Sequence, residues 1–158
     1  MAARSTPPAG RTGRIDGNGM DPAYELFDHT ADIGVRVLAP SLAELLEPAA
    51  RGLYAVIGRL VAAGAPQPRR FELTGEEAAV LLRDWLAELL RLLVLEQRMA
   101  TGFAPEEFRD GRLAVTAEMC GIDQRRSEFE REAKAVTYHQ LEIRPVPGGF
   151  EATFIVDI

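Results

Sequence analysis

The stretch from Thr74 to Gln97 constrains the fold more than any other part of the chain. From Val80 to Leu95 apolar residues fall on most sides of a 3.6-residue period, so a helix from about Gly75 to Gln97 leaves little face for water. It belongs in the middle of the molecule, and the rest of the chain must cover it. Arg83, Asp84, Glu88 and Arg91 interrupt the run, whereas a membrane helix needs about 20 apolar residues with few charges. No membrane span is expected. Thr74 with Glu77 three residues later reads as a capping box at the helix start.

The covering material is mostly strand-forming. Tyr24 to Phe27 and Val35 to Leu38 read as short strands around a polar connector, Asp28 to Gly34. A second helix follows: Leu42, Leu45, Leu46, Ala49, Ala50, Leu53, Tyr54 and Ile57 keep helical spacing, and Ser41 with Glu44 forms a capping box. Pro48 lies inside it and predicts a kink. Beyond a Gly64–Pro68 loop, Arg70 to Leu73 is a strand. The last third reads as strands at Phe103 to Phe108, Leu113 to Cys120, Ala133 to Val146 and Phe150 to Ile158, the final two joined by Pro147-Gly148-Gly149. This order predicts an α+β fold: a mostly antiparallel or mixed sheet with two helices packed on one face.

With 158 residues and 47% apolar composition the chain is long enough for one core. Residues 1–20, rich in Gly, Pro and Arg, are expected as a disordered tail, and 21–158 as a single domain. The net charge is −6; the tail contributes three Arg and one Asp, +2, so residues 21–158 carry the remaining −8. Such an acidic body argues against nucleic-acid wrapping through many Lys/Arg–phosphate contacts. The lone cysteine, Cys120, allows no internal disulfide and no Cys-based zinc site, and with no secretory signal at the start the expected location is cytoplasmic. No Walker loop, dinucleotide fingerprint, nucleophile elbow or His-Glu-x-x-His helix is present.

Three segments carry the remaining chemistry. Asp28-His-Thr-Ala-Asp32 sets two carboxylates, an imidazole and a hydroxyl between strands, as either a turn held by Asp and Thr or a site. In the last strand, alternation puts Phe150, Ala152, Phe154, Val156 and Ile158 on one face and Glu151, Thr153, Ile155 and Asp157 on the other. Asp157 beside a terminal carboxylate on Ile158 suits either water or a cation. In Lys134-Ala-Val-Thr-Tyr-His139, unbroken alternation turns Thr137 and His139 toward the core, and a bulge would reverse that. Any bound metal would meet mostly Asp oxygens, which favours Ca²⁺, Mg²⁺ or Mn²⁺.

The segments FDHTADIGVRV, VLLRDWLAELL, KAVTYHQLEI and FIVDI, in this order and spacing, resemble the archease family from about Tyr24 to Ile158. The resemblance implies an accessory protein, not an enzyme, that activates an RtcB-type RNA ligase in tRNA splicing and RNA repair by promoting its guanylylation and multiple turnover. It also implies a divalent cation held by Asp32, Asp157 and Ile158. Asp28, His29, Lys134, Thr137, Tyr138 and His139 are implied as supporting or partner-facing groups. An alternative is a chaperone-like module for RNA-modifying enzymes such as tRNA methyltransferases, with a purely structural metal. A metal-dependent hydrolase with His29 or His139 as base has too few groups to position a substrate. The family's first helix usually reads Phe-Glu-Asn-Ala-Ala where this chain has Leu46-Glu-Pro-Ala-Ala50, so the Pro48 kink is expected to be this chain's own.

Overall fold

In the computed structural model, which describes residues 15–16 and 19–158, a two-residue ladder of β1 (Ile15–Asp16) with β2 (Gly19–Met20) precedes the first long hairpin. The tail expected over residues 1–20 falls mostly outside the described residues; at its end, Met20 is buried. The hairpin pairs β3 (Ala23–His29) with β4 (Asp32–Ala39). The strands therefore consume most of the expected connector and leave a two-residue turn, Thr30–Ala31.

A 3₁₀ turn (Ala43–Leu45) leads into α1 (Leu46–Ile57). The Ser41 hydroxyl donates to Glu44 Oε2 at 2.7 Å and accepts the Glu44 N–H at 3.3 Å, so the predicted capping pair forms on the 3₁₀ turn. Pro48 falls in the first turn of α1, where a missing N–H breaks no helical bond. The reason for expecting a kink at Pro48 therefore falls away, and the 3₁₀ turn runs into α1 through Leu45 and Leu46 with helical backbone angles. Gly52 lets α1 lie close to the hairpin, since a Cβ there would stand 2.6 Å from Val35 Cγ1.

β5 (Gly58–Arg59) is followed by β6 (Ala62–Thr74), a 13-residue strand whose register shifts between Ala63 and Gln67. The expected Gly64–Pro68 loop is absorbed there as an irregularity, with Gly64 at φ +82°. Then comes α2 (Ala78–Glu96). The predicted Thr74–Glu77 box does not form. Glu77 is extended at the cap position, and the Ala78 N–H donates to Asp110 Oδ1 at 2.9 Å, so the first turn is satisfied from a turn 32 residues away. Gln97, at φ +53°, ends the helix by donating to the carbonyls of Leu92 and Leu93.

The remaining strands are β7 (Arg98–Arg109), β8 (Arg112–Ile122), β9 (Glu128–Phe129), β10 (Ala135–Val136), β11 (Glu142–Val146) and β12 (Gly149–Asp157). β7 starts well before its predicted Phe103–Phe108 core, whereas β8 nearly coincides with the predicted Leu113–Cys120. The predicted Ala133–Val146 strand is broken into β10 and β11, because Gln140 takes φ +51° and the chain turns.

The strands form two principal sheets. One is ordered β10-β12-β4-β3, with β11 also on β12; the other is β6-β8-β7. Every ladder is antiparallel. α1 packs on β3 and β4 and reaches β7; α2 packs on β6, β7 and β8 and touches β10 and β11. Each sheet therefore gives one face to the helices. The α+β expectation holds, with two sheets where one was expected. α2 sits centrally as predicted, its fully buried Trp85 edge-on to Phe71 and Phe103 with ring centroids at 6.4 and 5.9 Å. No helix among the described residues is long and apolar enough to cross a membrane.

Candidate functional site

The face of each polar residue in the first hairpin follows from its partner. Ile33, Val35, Val37 and Ala39 are buried in the core, so Asp32, Gly34 and Arg36 lie on the outer face of the sheet. His29 pairs with Asp32 and shares that face, whereas Asp28 pairs with Ile33 and takes the helix side. There Asp28 lines a cavity of about 270 Å³ with Leu26, Phe27, Ile33 and Arg131. On the outer face the Phe27 ring lies over Gly34, where no Cβ would fit. Arg36 covers the ring at 5.1 Å from its centroid and pairs with Glu25.

β12 is the central strand beside β4, as a pocket shared by the first motif and the chain's last strand requires. Ala152, Phe154 and Val156 enter the core as predicted. The register runs to Val156 opposite Ile33, which makes Asp157 and Asp32 the next residues on their strands, both toward the outer face. Asp157 also pairs with Ala135, and its carbonyl accepts the Lys134 N–H at 2.7 Å. No ion pair among the described residues includes Asp28, Asp32, Asp157 or Lys134. Two partly exposed carboxylates are therefore neighbours in register at the end of the two central strands, with no Lys or Arg paired to them among the described residues.

The late motif closes over this face. Thr137 donates its N–H and its hydroxyl to the Ile155 carbonyl, at 2.9 and 3.1 Å, and accepts the His139 N–H at 3.2 Å. Gln140 Nε2 then comes within 3.1 Å of His29 Nε2, and the His29 and His139 rings lie 5.2 Å apart. Since β10 and β3 are opposite edges of the sheet, this bridge crosses β12 and β4. It explains why Ile155, on the outer face, is fully buried. His139 is exposed in this bridge, not on the core side as unbroken alternation predicts. His29 Nδ1 is buried with no hydrogen-bond partner among the described residues.

Not every predicted residue joins the pair. Tyr138, 62% exposed, stacks on Arg83 of α2 at 4.4 Å, and the Lys134 side chain points into solvent. Sequence reasoning missed three residues that organise the site: Gln140 as the bridge to His29, Arg131 beside Asp28, and Arg83. Arg83 Nε donates to the Val136 carbonyl at 2.8 Å and Nη1 approaches the Tyr138 hydroxyl at 3.2 Å, which anchors the late motif to the central helix. A charge inside a largely buried helix was the available signal.

Among the described residues no three His, Cys, Asp or Glu side chains converge closely enough to hold a metal. A cation between Asp32 and Asp157 would need further oxygen from Ile158 or water. Such a donor set, carboxylates and main-chain oxygen, fits a hard divalent cation, and the uncompensated charge of the pair favours one.

Residues 24–158 match the family model described as Archease protein family (MTH1598/TM1083). "Protein archease" of Methanosarcina barkeri is 35% identical over 139 residues, covering 85% of this chain and 95% of that protein. The Methanothermobacter thermautotrophicus protein of the same name is 34% identical over 137 residues, covering 85% and 98%. The solution structure of Methanobacterium thermoautotrophicum protein 1598 superposes with a TM-score of 0.68 at 34% identity, covering 85% of this chain and 98% of that one. The crystal structure of an archease, possible chaperone, from Thermotoga maritima gives a TM-score of 0.62 at 23% identity over 84% and 94%, a likeness of fold. With the matched region running from the first hairpin through Asp157, this chain belongs to the archease family.

Proposed function

We propose that this protein is a cytoplasmic accessory activator of an RtcB-type RNA ligase, promoting ligase guanylylation and multiple turnover in tRNA splicing and RNA repair. The observation that carries the reading is the Asp32–Asp157 pair, adjacent at the end of β4 and β12 and free of ion pairing among the described residues. Ile158 would add an oxygen to the set. A bound Ca²⁺, Mg²⁺ or Mn²⁺ supplies positive charge that offsets the two carboxylates and attracts the phosphates of a nucleotide. The chain's own contribution is positional. The β4–β12 ladder holds the carboxylates in register, and the Thr137–Gln140 bridge covers the sheet beside them and supports His29. Lys134, exposed next to Asp157, faces any partner that docks there.

The test is guanylylation and multiple-turnover ligation by the cognate ligase, with wild type, Asp32→Asn and Asp157→Asn. Stimulation by wild type and by neither folded variant supports the reading; full stimulation by both variants removes it.

A second reading, a chaperone-like module with a structural cation, is favoured by one feature: Asp157 sits where β4, β10 and β12 all end, so a cation there would clamp three strand ends. It predicts that activity loss tracks loss of melting temperature across variants. The activator reading predicts that stimulation is lost even at assay temperatures where both variants are fully folded.

A further inference from the structure

On the helix side of the same end of the molecule lies a second feature, which the acidic pair does not use. Its groove has a volume of about 530 Å³ between the last turns of α2 and the segment 129–133, with Ile57, Leu90, Leu93 and Ala133 among its lining. Two apolar side chains on its walls remain in water: Val94 is 62% exposed and Phe129 52%. Phe129 is held there by a pinned backbone. The Ile57 carbonyl, at the end of α1, accepts the N–H groups of Glu130 at 2.7 Å and Arg131 at 3.0 Å. Phe129 itself pairs with Gly58, which is at φ +152° and has no room for a Cβ beside the Glu128 carbonyl. A large ring fixed in water on a rigid wall has no role in the chain's own core.

The charge around the groove limits what can enter. Glu130 and Glu132 line it, both exposed, and Glu96 stands at the end of α2. The one lining cation, Arg131, turns its guanidinium to the Val56 carbonyl at 3.2 Å, with Glu130 at 3.5 Å. A second copy would bring the same acidic rim against itself. The chain's own first fourteen residues are basic but offer only Met1, Ala and Pro as apolar groups, too little to fill an apolar groove.

We propose that this groove docks an amphipathic helical segment of a partner protein, apolar on the inserted face and flanked by Lys or Arg. The inference rests on the accessory reading above and adds a second attachment point to it. Residues 129–133 run directly into Lys134, whose N–H is bonded to Asp157. A helix seated in the groove therefore holds the partner beside the acidic pair.

The first arm of the test uses a fluorescent 18-residue Leu/Lys peptide with Leu at i, i+3, i+4 and i+7, and its Leu/Glu counterpart, read by anisotropy and amide chemical shifts. Expected results are Leu/Lys binding that weakens with salt, at least tenfold weaker Leu/Glu binding, and shifts centred on Val94 and Phe129. Val94→Glu, Phe129→Glu and the exposed pair Glu130→Lys/Glu132→Lys each lower Leu/Lys affinity at least tenfold, while Asp157→Asn changes it less than twofold. Unchanged affinity in the folded groove variants overturns the proposal, as does a wild-type dimer that Val94→Glu dissociates. In the second arm, groove variants raise the concentration needed for half-maximal ligase stimulation at least fivefold without lowering the maximum, whereas Asp157→Asn lowers the maximum. An unchanged half-maximal concentration overturns the groove alone. A wild type that gives no stimulation overturns the accessory reading, and the peptide arm then decides the groove.

Discussion

The outer face of the β6-β8-β7 sheet and the Asp32–Asp157 end of the other sheet both carry charge, and they treat it in opposite ways. On the β6-β8-β7 sheet, Arg70 bonds Glu106 at 3.0 Å and Glu72 at 2.5 Å, Arg112 bonds Glu72 at 2.9 Å and Glu107 at 3.2 Å, and Arg109 also pairs with Glu107. At the end of the other sheet, Asp32 and Asp157 stand together with no such partner among the described residues. The first arrangement neutralises itself across strands, as cross-strand pairs commonly do. The second leaves two carboxylates on adjacent strand ends with no ion pair among the described residues. Uncompensated charge therefore distinguishes the site better than charge alone.

The largest expected effect breaks the comparison at the acidic pair. Asp32→Asn or Asp157→Asn lowers ligase stimulation by more than tenfold, and also removes the rise in melting temperature that millimolar Ca²⁺, Mg²⁺ or Mn²⁺ gives wild type. A cation at 100 times its Kd stabilises by about 2.7 kcal/mol. With chelator present, both variants melt at or above the wild-type temperature, because one repelling carboxylate is gone. Calorimetry with and without the cation reads both effects.

Next in size is Tyr54, a polar group that is buried and satisfied. Its hydroxyl accepts the Ala100 N–H at 2.9 Å, and burial pushes its pKa up to about 12, against a smaller lowering by that bond. Tyr54→Phe strands the amide and costs about 1–3 kcal/mol by urea unfolding. The folded tyrosine keeps its proton above pH 10, where the unfolded one loses it. Its stabilising contribution is therefore whole below pH 10 and declines by about 1.4 kcal/mol per pH unit toward pH 12. The phenylalanine variant lacks this alkaline slope, and a slope of equal size would contradict the assignment.

A smaller effect belongs to the neutralised face. Arg70 holds the carboxyls of Glu72 and Glu106 below the usual range, first through its hydrogen bonds, with Arg112 adding to both. Carboxyls lowered by folding stabilise above their unfolded pKa, about 4.3. That contribution disappears as pH falls through the lowered values. Urea unfolding from pH 6 to pH 2 should show a smaller acid loss in Arg70→Ala than in wild type. The smallest effect is that of Arg70→Ala at pH 7. These side chains are solvent-exposed, and a shift of under about 2 °C is expected by thermal melting; a larger drop would mean that the network supports the sheet itself.

Much of the fold was legible because it rests on local patterns. The apolar periodicity of Val80–Leu95 announced a central helix, and alternation along Phe150–Ile158 assigned Ala152, Phe154, Val156 and Asp157 to their faces. The failures came where a distant residue replaced a local one. Thr74 and Glu77 have capping-box spacing, but Asp110 does the capping, and no local pattern reveals an acceptor supplied by another hairpin. Ala133–Val146 alternates well enough to read as one strand, yet Gln140 adopts a left-handed backbone to carry the chain across to His29.

The same division runs through the site. Residue types and spacing alone announced a two-helix α+β fold, and marked Asp32, Asp157 and His29 as groups in need of explanation. Which of them meet was decided by strand order. β12, last in the chain, inserts beside β4, near its beginning, and that pairing creates the adjacency of Asp32 and Asp157. The bridge from Gln140 to His29 and the groove beside Phe129 arise likewise from contacts between segments far apart in sequence. Periodicity reports which side of an element is apolar, a property of neighbours along the chain. Adjacency across a sheet depends on how all the elements bury their apolar sides together, and only the folded chain resolves that.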